Sequence, residues 1–279
     1  MYRTEAVLKR DLRVRYPAGH ARLVLRTELD WDRDLEAASV TDDGETSVFA
    51  LEARQPFLYF KPCLVAGNGQ VHWAVGSNML LLMTSEGTRD CYPHFHGAPT
   101  GSFSPLVERD STILGRKHLV RIYLPPGYDE NTLRRYPVLY MQDGKNLFFP
   151  EDAFLGHEWK VDESLALLDS MSALDQVVVV GIHSGDRMVE YTQPGYEAYA
   201  RSVVEEVVPE VNRRIRLLEG RTETGVMGSS LGGVVSFYMA WQYPEVFDFA
   251  ACLSSTFSHG DDLIERVLSE PKRNTRFYL

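Results

Sequence analysis

Hydrophobic and polar positions change rhythm near residue 105 of this chain. Before it, short alternating or aromatic runs are broken by turn signals. Ser47–Leu51, Phe57–Leu64, Val71–Val75 and Met79–Met83 are predicted strands. Asn68-Gly69 lies between two of them, and both residues tolerate the positive φ of a tight hairpin. Asp42-Asp43-Gly44 marks a further turn, and a helix has only weak support, near Asp30–Ala38. Residues 1–105 are therefore expected to form a small antiparallel β-sandwich. Residues 97–106, rich in Gly, Pro and Ser, read as a boundary.

Beyond that boundary strands alternate with helices. His118–Leu124, Val138–Met141, Val177–Ile182, Gly225–Met227 and Phe249–Leu253 are predicted strands, and Arg276–Leu279 begins another. Val177–Ile182 is apolar throughout, which implies burial on both faces. Tyr199–Leu217 carries a helical apolar stripe through Ala200, Val203, Val207, Val211 and Ile215, which Pro209 kinks or restarts. Leu231–Tyr243 is a second helix. Residues 106–279 thus read as an α/β domain, a mostly parallel sheet with flanking helices.

Composition adds exclusions. The formal net charge of −10 argues against a nucleic-acid partner. No run is long enough to span a membrane, and the N-terminus lacks the apolar segment of a signal peptide, so a cytoplasmic location is expected. Three widely spaced cysteines, Cys63, Cys91 and Cys252, suggest reduced, buried thiols rather than disulfides or a zinc site.

One segment carries chemistry. Gly228-Ser229-Ser230-Leu231-Gly232-Gly233 fits G-x-S-x-G, with a predicted strand before it and an apolar helix after it. In that setting a sharp turn lifts the serine out at the carboxyl edge of the sheet, above the N–H groups that open the helix. Alone, the motif also fits a tight turn whose serine caps a helix. A second segment, Tyr136 to Phe148, runs from an apolar strand into Asp143-Gly144, where an acyl-transfer enzyme of this type carries its other oxyanion donor.

From about residue 105 onward the chain resembles the esterase D, or "putative esterase", family of α/β hydrolases. The resemblance rests on Leu124 to Tyr128, Tyr136 to Phe148, Val180-Gly181-Ile182, Arg187 with Glu190-Tyr191-Thr192, Gly228 to Gly233 and Leu253-Ser254-Ser255, in the family's order. It implies an α/β-hydrolase fold, a serine esterase with Ser230 as nucleophile, and an oxyanion hole made by the N–H groups of Lys145 and Leu231. A β domain ahead of the catalytic one resembles the layout of enterochelin esterases.

The fold places its acid and then its histidine after the nucleophile. By the family pattern both are absent before Leu279, so the chain is expected to be C-terminally incomplete, and a non-catalytic binding module or an acyltransferase stand as rival readings. His259, beside Asp261, reads as a surface-loop residue. His157 and Trp159 are candidate substrate contacts, with an ordinary loop residue as the alternative for His157. His94-Phe95-His96 has a metal-compatible spacing without further ligands, so no metal and no cofactor are expected. Arg187 and Glu190 read as an ion pair or as substrate contacts, and the charges along Glu205–Arg216 as a solvated helix face. The expected partner is a small-molecule ester. The N-terminal domain has three open roles: binding carbohydrate, shaping the pocket, or joining two copies as a homodimer.

Overall fold

A computed structural model describes residues 6–279. Two compact units are present. The first comprises the residues up to Gly101 together with Pro126–Arg134 and Ala166–Asp175; the second holds the remainder.

The first unit contains β1 (Leu8–Arg15), β2 (Arg22–Thr27), β3 (Asp30–Leu35), β4 (Ser39–Val40), β5 (Thr46–Ala53), β6 (Phe57–Val65), β7 (Val71–Trp73), β8 (Met79–Leu82) and β9 (Arg89–Cys91). One sheet runs β4-β5-β1-β9 and the other β3-β2-β6-β7, with β8 also paired to β6. Alternation puts Leu12, Val14, Phe49 and Leu51 of one sheet and Leu25, Leu58, Phe60 and Leu81 of the other into one apolar core. Gly69, at φ 82°, turns β6 into β7 while Ala66 N–H donates to Gln70 O at 2.9 Å. The weak helix near Asp30–Ala38 is corrected: Asp30–Leu35 is a strand. It pairs with β2, and Arg26 Nε donates to Asp34 Oδ1 at 2.8 Å, so cross-strand partners outweigh local preference.

The second unit contains β10 (Ser102–Phe103), β11 (Val107–Ser111), β12 (Arg116–Leu124), β13 (Val138–Met141), β14 (Val178–His183), β15 (Thr224–Ser229), β16 (Phe249–Leu253) and β17 (Arg276–Tyr278). Its helices are α1 (Val161–Ser170, of which Ala166 onward counts with the first unit), α2 (Arg187–Glu190), α3 (Gly195–Ser202), α4 (Val208–Arg214), α5 (Leu231–Gln242) and α6 (Leu263–Ser269). The sheet order is β10-β12-β14-β13-β15-β16-β17, with β11 on β12. Pairing is antiparallel around β12 and parallel from β14 to β17. This is the α/β-hydrolase arrangement. Val178, Val179, Val180 and Ile182 of β14 are all buried, as expected of a strand covered on both faces. Helix α5 is buried from Leu231 to Trp241, which explains its almost wholly apolar sequence.

Two expectations about the helical stretch after Tyr199 are sharpened or corrected. Pro209 restarts the helix: a π-helical segment, Val203–Val207, precedes α4. The face from Glu205 to Arg216 is not simply solvated. Glu206 accepts from Thr112 N–H and Oγ1, each at 2.9 Å, and Glu210 pairs with Arg109 at 3.0 Å. Among the described residues no helix is long and apolar enough to cross a membrane. All three cysteines are free and buried.

Candidate active site

Parallel pairing brings the candidate residues to one edge of the sheet. Met141 on β13 faces Met227 on β15, and Gln142 N–H donates to Met227 O at 2.9 Å. The next residues of both strands therefore leave the sheet side by side. From β13 the chain enters Asp143-Gly144-Lys145-Asn146; from β15 it enters the Ser230 turn.

Ser230 has φ 57° and ψ −123°, a conformation that is strained for any residue with a side chain. It is held there from both sides. Its N–H donates to Leu253 O at 2.9 Å, and its carbonyl accepts from Gly233 N–H at 3.0 Å and Val234 N–H at 3.2 Å. Gly228 is required because a Cβ there would run into the Gly232 carbonyl. Ser230 is thus the residue just before α5, and its side chain is half-buried. The N–H groups of Leu231 and Gly232 open the helix, where no earlier carbonyl of that helix can accept them.

The opposite loop is built as tightly. Asp143 has φ 56° and starts a short 3-10 turn, Gly144–Asn146. A Cβ on Gly144 would lie 2.6 Å from the Gly181 carbonyl carbon, so loop and β14 meet backbone to backbone. Asn146 anchors the segment after this turn: its carbonyl accepts from Trp159 N–H at 2.7 Å and its Oδ1 from Phe154 N–H at 2.9 Å. His157 and Trp159 lie on this stretch, both exposed, with Trp159 tied to the loop through its backbone.

Sequence reasoning missed the charge beneath the site. Asp143 is 1% exposed. Its Oδ1 forms an ion pair with Arg187 Nε at 2.8 Å and accepts from Ser184 Oγ at 3.3 Å, and its N–H donates to Tyr191 Oη at 3.2 Å. A methyl group on Gly232 would lie 3.0 Å from Asp143 Oδ2, so this carboxylate touches the start of α5 as well as its own loop. Burial pushes the Asp143 carboxyl above its usual range, against the pull of Arg187. The expected pairing of Arg187 with Glu190 is corrected accordingly. Arg187 serves Asp143, and Glu190 accepts from Arg116 Nη2 at 2.6 Å. Arg187 and Asp143 each lie in a segment that carries the family resemblance, but nothing in those segments pairs the two.

The histidines separate. His259 is exposed, and its backbone N–H donates to Thr256 O at 3.2 Å. His183, at the carboxyl end of β14, is held neutral: burial and then Arg121 lower its pKa to about 4. His94 is buried and His96 exposed, so the pair does not converge. Among the described residues no three His, Cys, Asp or Glu side chains gather as a metal site. Burial raises Cys63 to about 11 and Cys91 and Cys252 to about 12, which leaves none of them poised as a nucleophile.

The sequence profile described as "Putative esterase" matches residues 111–278, more than half of the chain. The chain belongs to this esterase family. Its matched region takes in β12 to β17, the Asp143 loop and the Ser230 turn. Two proteins of Bacillus subtilis (strain 168), both named as uncharacterized, are similar to it. YbbA is 25% identical over 154 residues, 49% of this chain and 56% of that protein. YjcH is 29% identical over 153 residues, 52% of this chain and 55% of that protein. The chain thus spans about half the length of the curated relatives it matches. Among solved structures, the enterobactin esterase FES from Shigella flexneri, in the presence of 2,3-di-hydroxy-N-benzoyl-serine, superposes with a TM-score of 0.51 at 15% identity. That alignment covers 99% of this chain and 80% of the other, a likeness of fold.

Proposed function

We propose that this protein is a carboxylic-ester hydrolase that uses Ser230 as its nucleophile and passes through an acyl-enzyme. The observation that carries this reading is the strained Ser230 turn, set directly before a buried helix. Ser230 Oγ attacks the ester carbonyl carbon, and the carbonyl electrons move onto oxygen. The N–H groups of Leu231 and Lys145 donate hydrogen bonds to that oxyanion. Collapse expels the alcohol and leaves an ester on Ser230, which water then cleaves to release the acid and the free serine. Trp159, whose N–H donates to the Asn146 carbonyl, and His157 two residues before it are the proposed contacts for the alcohol or acyl group. No metal or organic cofactor enters this chemistry, and the substrate is a small-molecule ester.

The general base of the relay is assigned to none of the described residues. In this fold the acid follows a later strand and the histidine follows the acid. The exposed ring of His259 favours a second reading, a hydrolase-fold module that binds an ester without turning it over.

Hydrolysis of p-nitrophenyl butyrate by this chain and by Ser230→Ala decides between them. Turnover lost in the variant is the expected outcome. A rate no higher than that of Ser230→Ala, together with no labelling by a fluorophosphonate, favours the binding module.

A further inference from the structure

Two buried tyrosines stand behind the Asp143 loop, and the ester chemistry has no use for their phenols. Tyr191 closes α2 and Tyr199 lies in α3; both side chains are fully buried. Their rings meet edge to face with centroids 5.1 Å apart, and their hydroxyls hydrogen-bond each other. Tyr191 Oη accepts from Asp143 N–H at 3.2 Å, and Tyr199 Oη donates to Gln142 Oε1 at 2.6 Å. Burial holds both phenols far above their usual pKa, so each keeps its one proton.

The number of protons fixes the direction of every bond. Gln142 is itself fully buried, and its Nε2 donates to Met239 Sδ at 3.4 Å, which leaves Oε1 as the acceptor for Tyr199. The Tyr199 proton is thus committed, so the proton between the two phenols comes from Tyr191. Tyr191 Oη is then free to accept, as the Asp143 N–H requires. Ser184, the other neighbour of the Tyr191 hydroxyl, gives its proton to Asp143 Oδ1 at 3.3 Å. Donors therefore run from Asp143 through Tyr191 and Tyr199 to Gln142, and the peptide bond between Gln142 and Asp143 closes them into a ring. Such a chain in a dry interior is stronger than its separate links. Asp143 needs that hold: φ 56° and ψ 44° put it in the left-handed region, which is sparse for a residue with a side chain. Asp143 O in turn accepts from Asn146 N–H at 2.8 Å, so the turn that contains Lys145 hangs from Asp143.

We infer that Tyr191 and Tyr199 are positioning residues: their hydrogen-bonded ring fixes the Gln142–Asp143 peptide and thereby aims the Lys145 N–H at the oxyanion. The catalytic part of this inference rests on the ester hydrolysis proposed above; the ring itself is tested without turnover.

Tyr191→Phe removes one hydroxyl and no packing, and leaves the Asp143 N–H without its acceptor. Amide hydrogen exchange at Asp143 and Asn146 should be about tenfold faster in this variant, with the amides of β14 unchanged. In hydrolysis of p-nitrophenyl butyrate, kcat should fall about tenfold at an unchanged KM, because a misaimed oxyanion donor is missed only in the transition state and its complete removal costs about 100-fold or more. Tyr199→Phe should lose a similar factor, and the double variant no more than either single one, because one cut opens the ring. A purely structural role would instead lower the melting temperature, leave kcat alone and give losses that add up. A parent chain without turnover overturns the esterase reading, and exchange in the two single variants and the double variant then judges the ring. Unchanged exchange at Asp143 and Asn146, an undiminished kcat in an active parent background, or losses that multiply in the double variant overturn the inference. Melting curves show that the variants are folded, and if one is not, the other single variant carries the test.

Discussion

Asp143 is a buried carboxylate beside two groups that the proposed chemistry needs to be electropositive: the start of α5 and the Lys145 N–H. An unneutralised charge there would oppose the oxyanion, and Arg187 supplies the neutralisation at 2.8 Å. Arg187→Met should therefore destabilise the fold by about 2 kcal/mol, less than the loss of a fully buried pair because the Arg187 side chain is 39% exposed. It should also lower kcat more than it raises KM. Adding Asp143→Asn should restore much of the lost stability, since the orphaned charge goes with it. Urea denaturation of the two single variants and the double variant measures this, and additive losses would count against the assignment. Ser230 could be picked out of the sequence as a candidate because it sits in a short local pattern, and Lys145 and Leu231 only through the family resemblance. The Asp143–Arg187 contact could not: its members lie far apart along the chain, and only the meeting of two strand ends joins them.

At the scale of elements, strands buried on both faces were plain from their unbroken apolar runs, as in β13 and β14. β1 was harder to see. Only Leu12 and Val14 of its eight residues are fully buried, and the others include three arginines, a lysine and an aspartate that stay at the surface or form ion pairs there. The helical stripe after Tyr199 was legible, but not the π-helical turn inside it, because one added residue per turn leaves no mark in an apolar pattern. That turn presents Glu206 to the β11–β12 connection, where it accepts from Thr112 N–H and Oγ1 and from Ile113 N–H at 3.3 Å. Glu206→Ala should cost about 1 kcal/mol, the net worth of the lost bonds, since water can reach the exposed Thr112 N–H. Faster hydrogen exchange at Thr112 and Ile113 should report the loss locally, and unchanged protection there would show that the contact is dispensable.

For the molecule as a whole, neutral histidines that are buried or half-buried set an acid limit. His94 and His118 are held below the usual imidazole pKa by burial, His118 despite Glu206 Oε2 at 3.7 Å, and His183 is lowered to about 4. Each has a folded-state pKa below its unfolded value of roughly 6.5. Between those values the unfolded chain binds more protons, so the stability they contribute is present above about pH 6.5 and is lost as pH falls toward 4. The urea midpoint should drop between pH 7.5 and pH 5, and His118→Gln should flatten that drop. An unchanged slope in the variant would remove His118 from the account.

The sealed cysteines have a practical consequence. With thiol pKa values of about 11 and 12, at most about one in a thousand of them is ionised at pH 8. Buried and un-ionised, they should react only slowly with colorimetric disulfide reagents while the protein stays folded. Thioesters can then be screened alongside oxygen esters by following the released thiol directly, with no correction for thiols belonging to the catalyst.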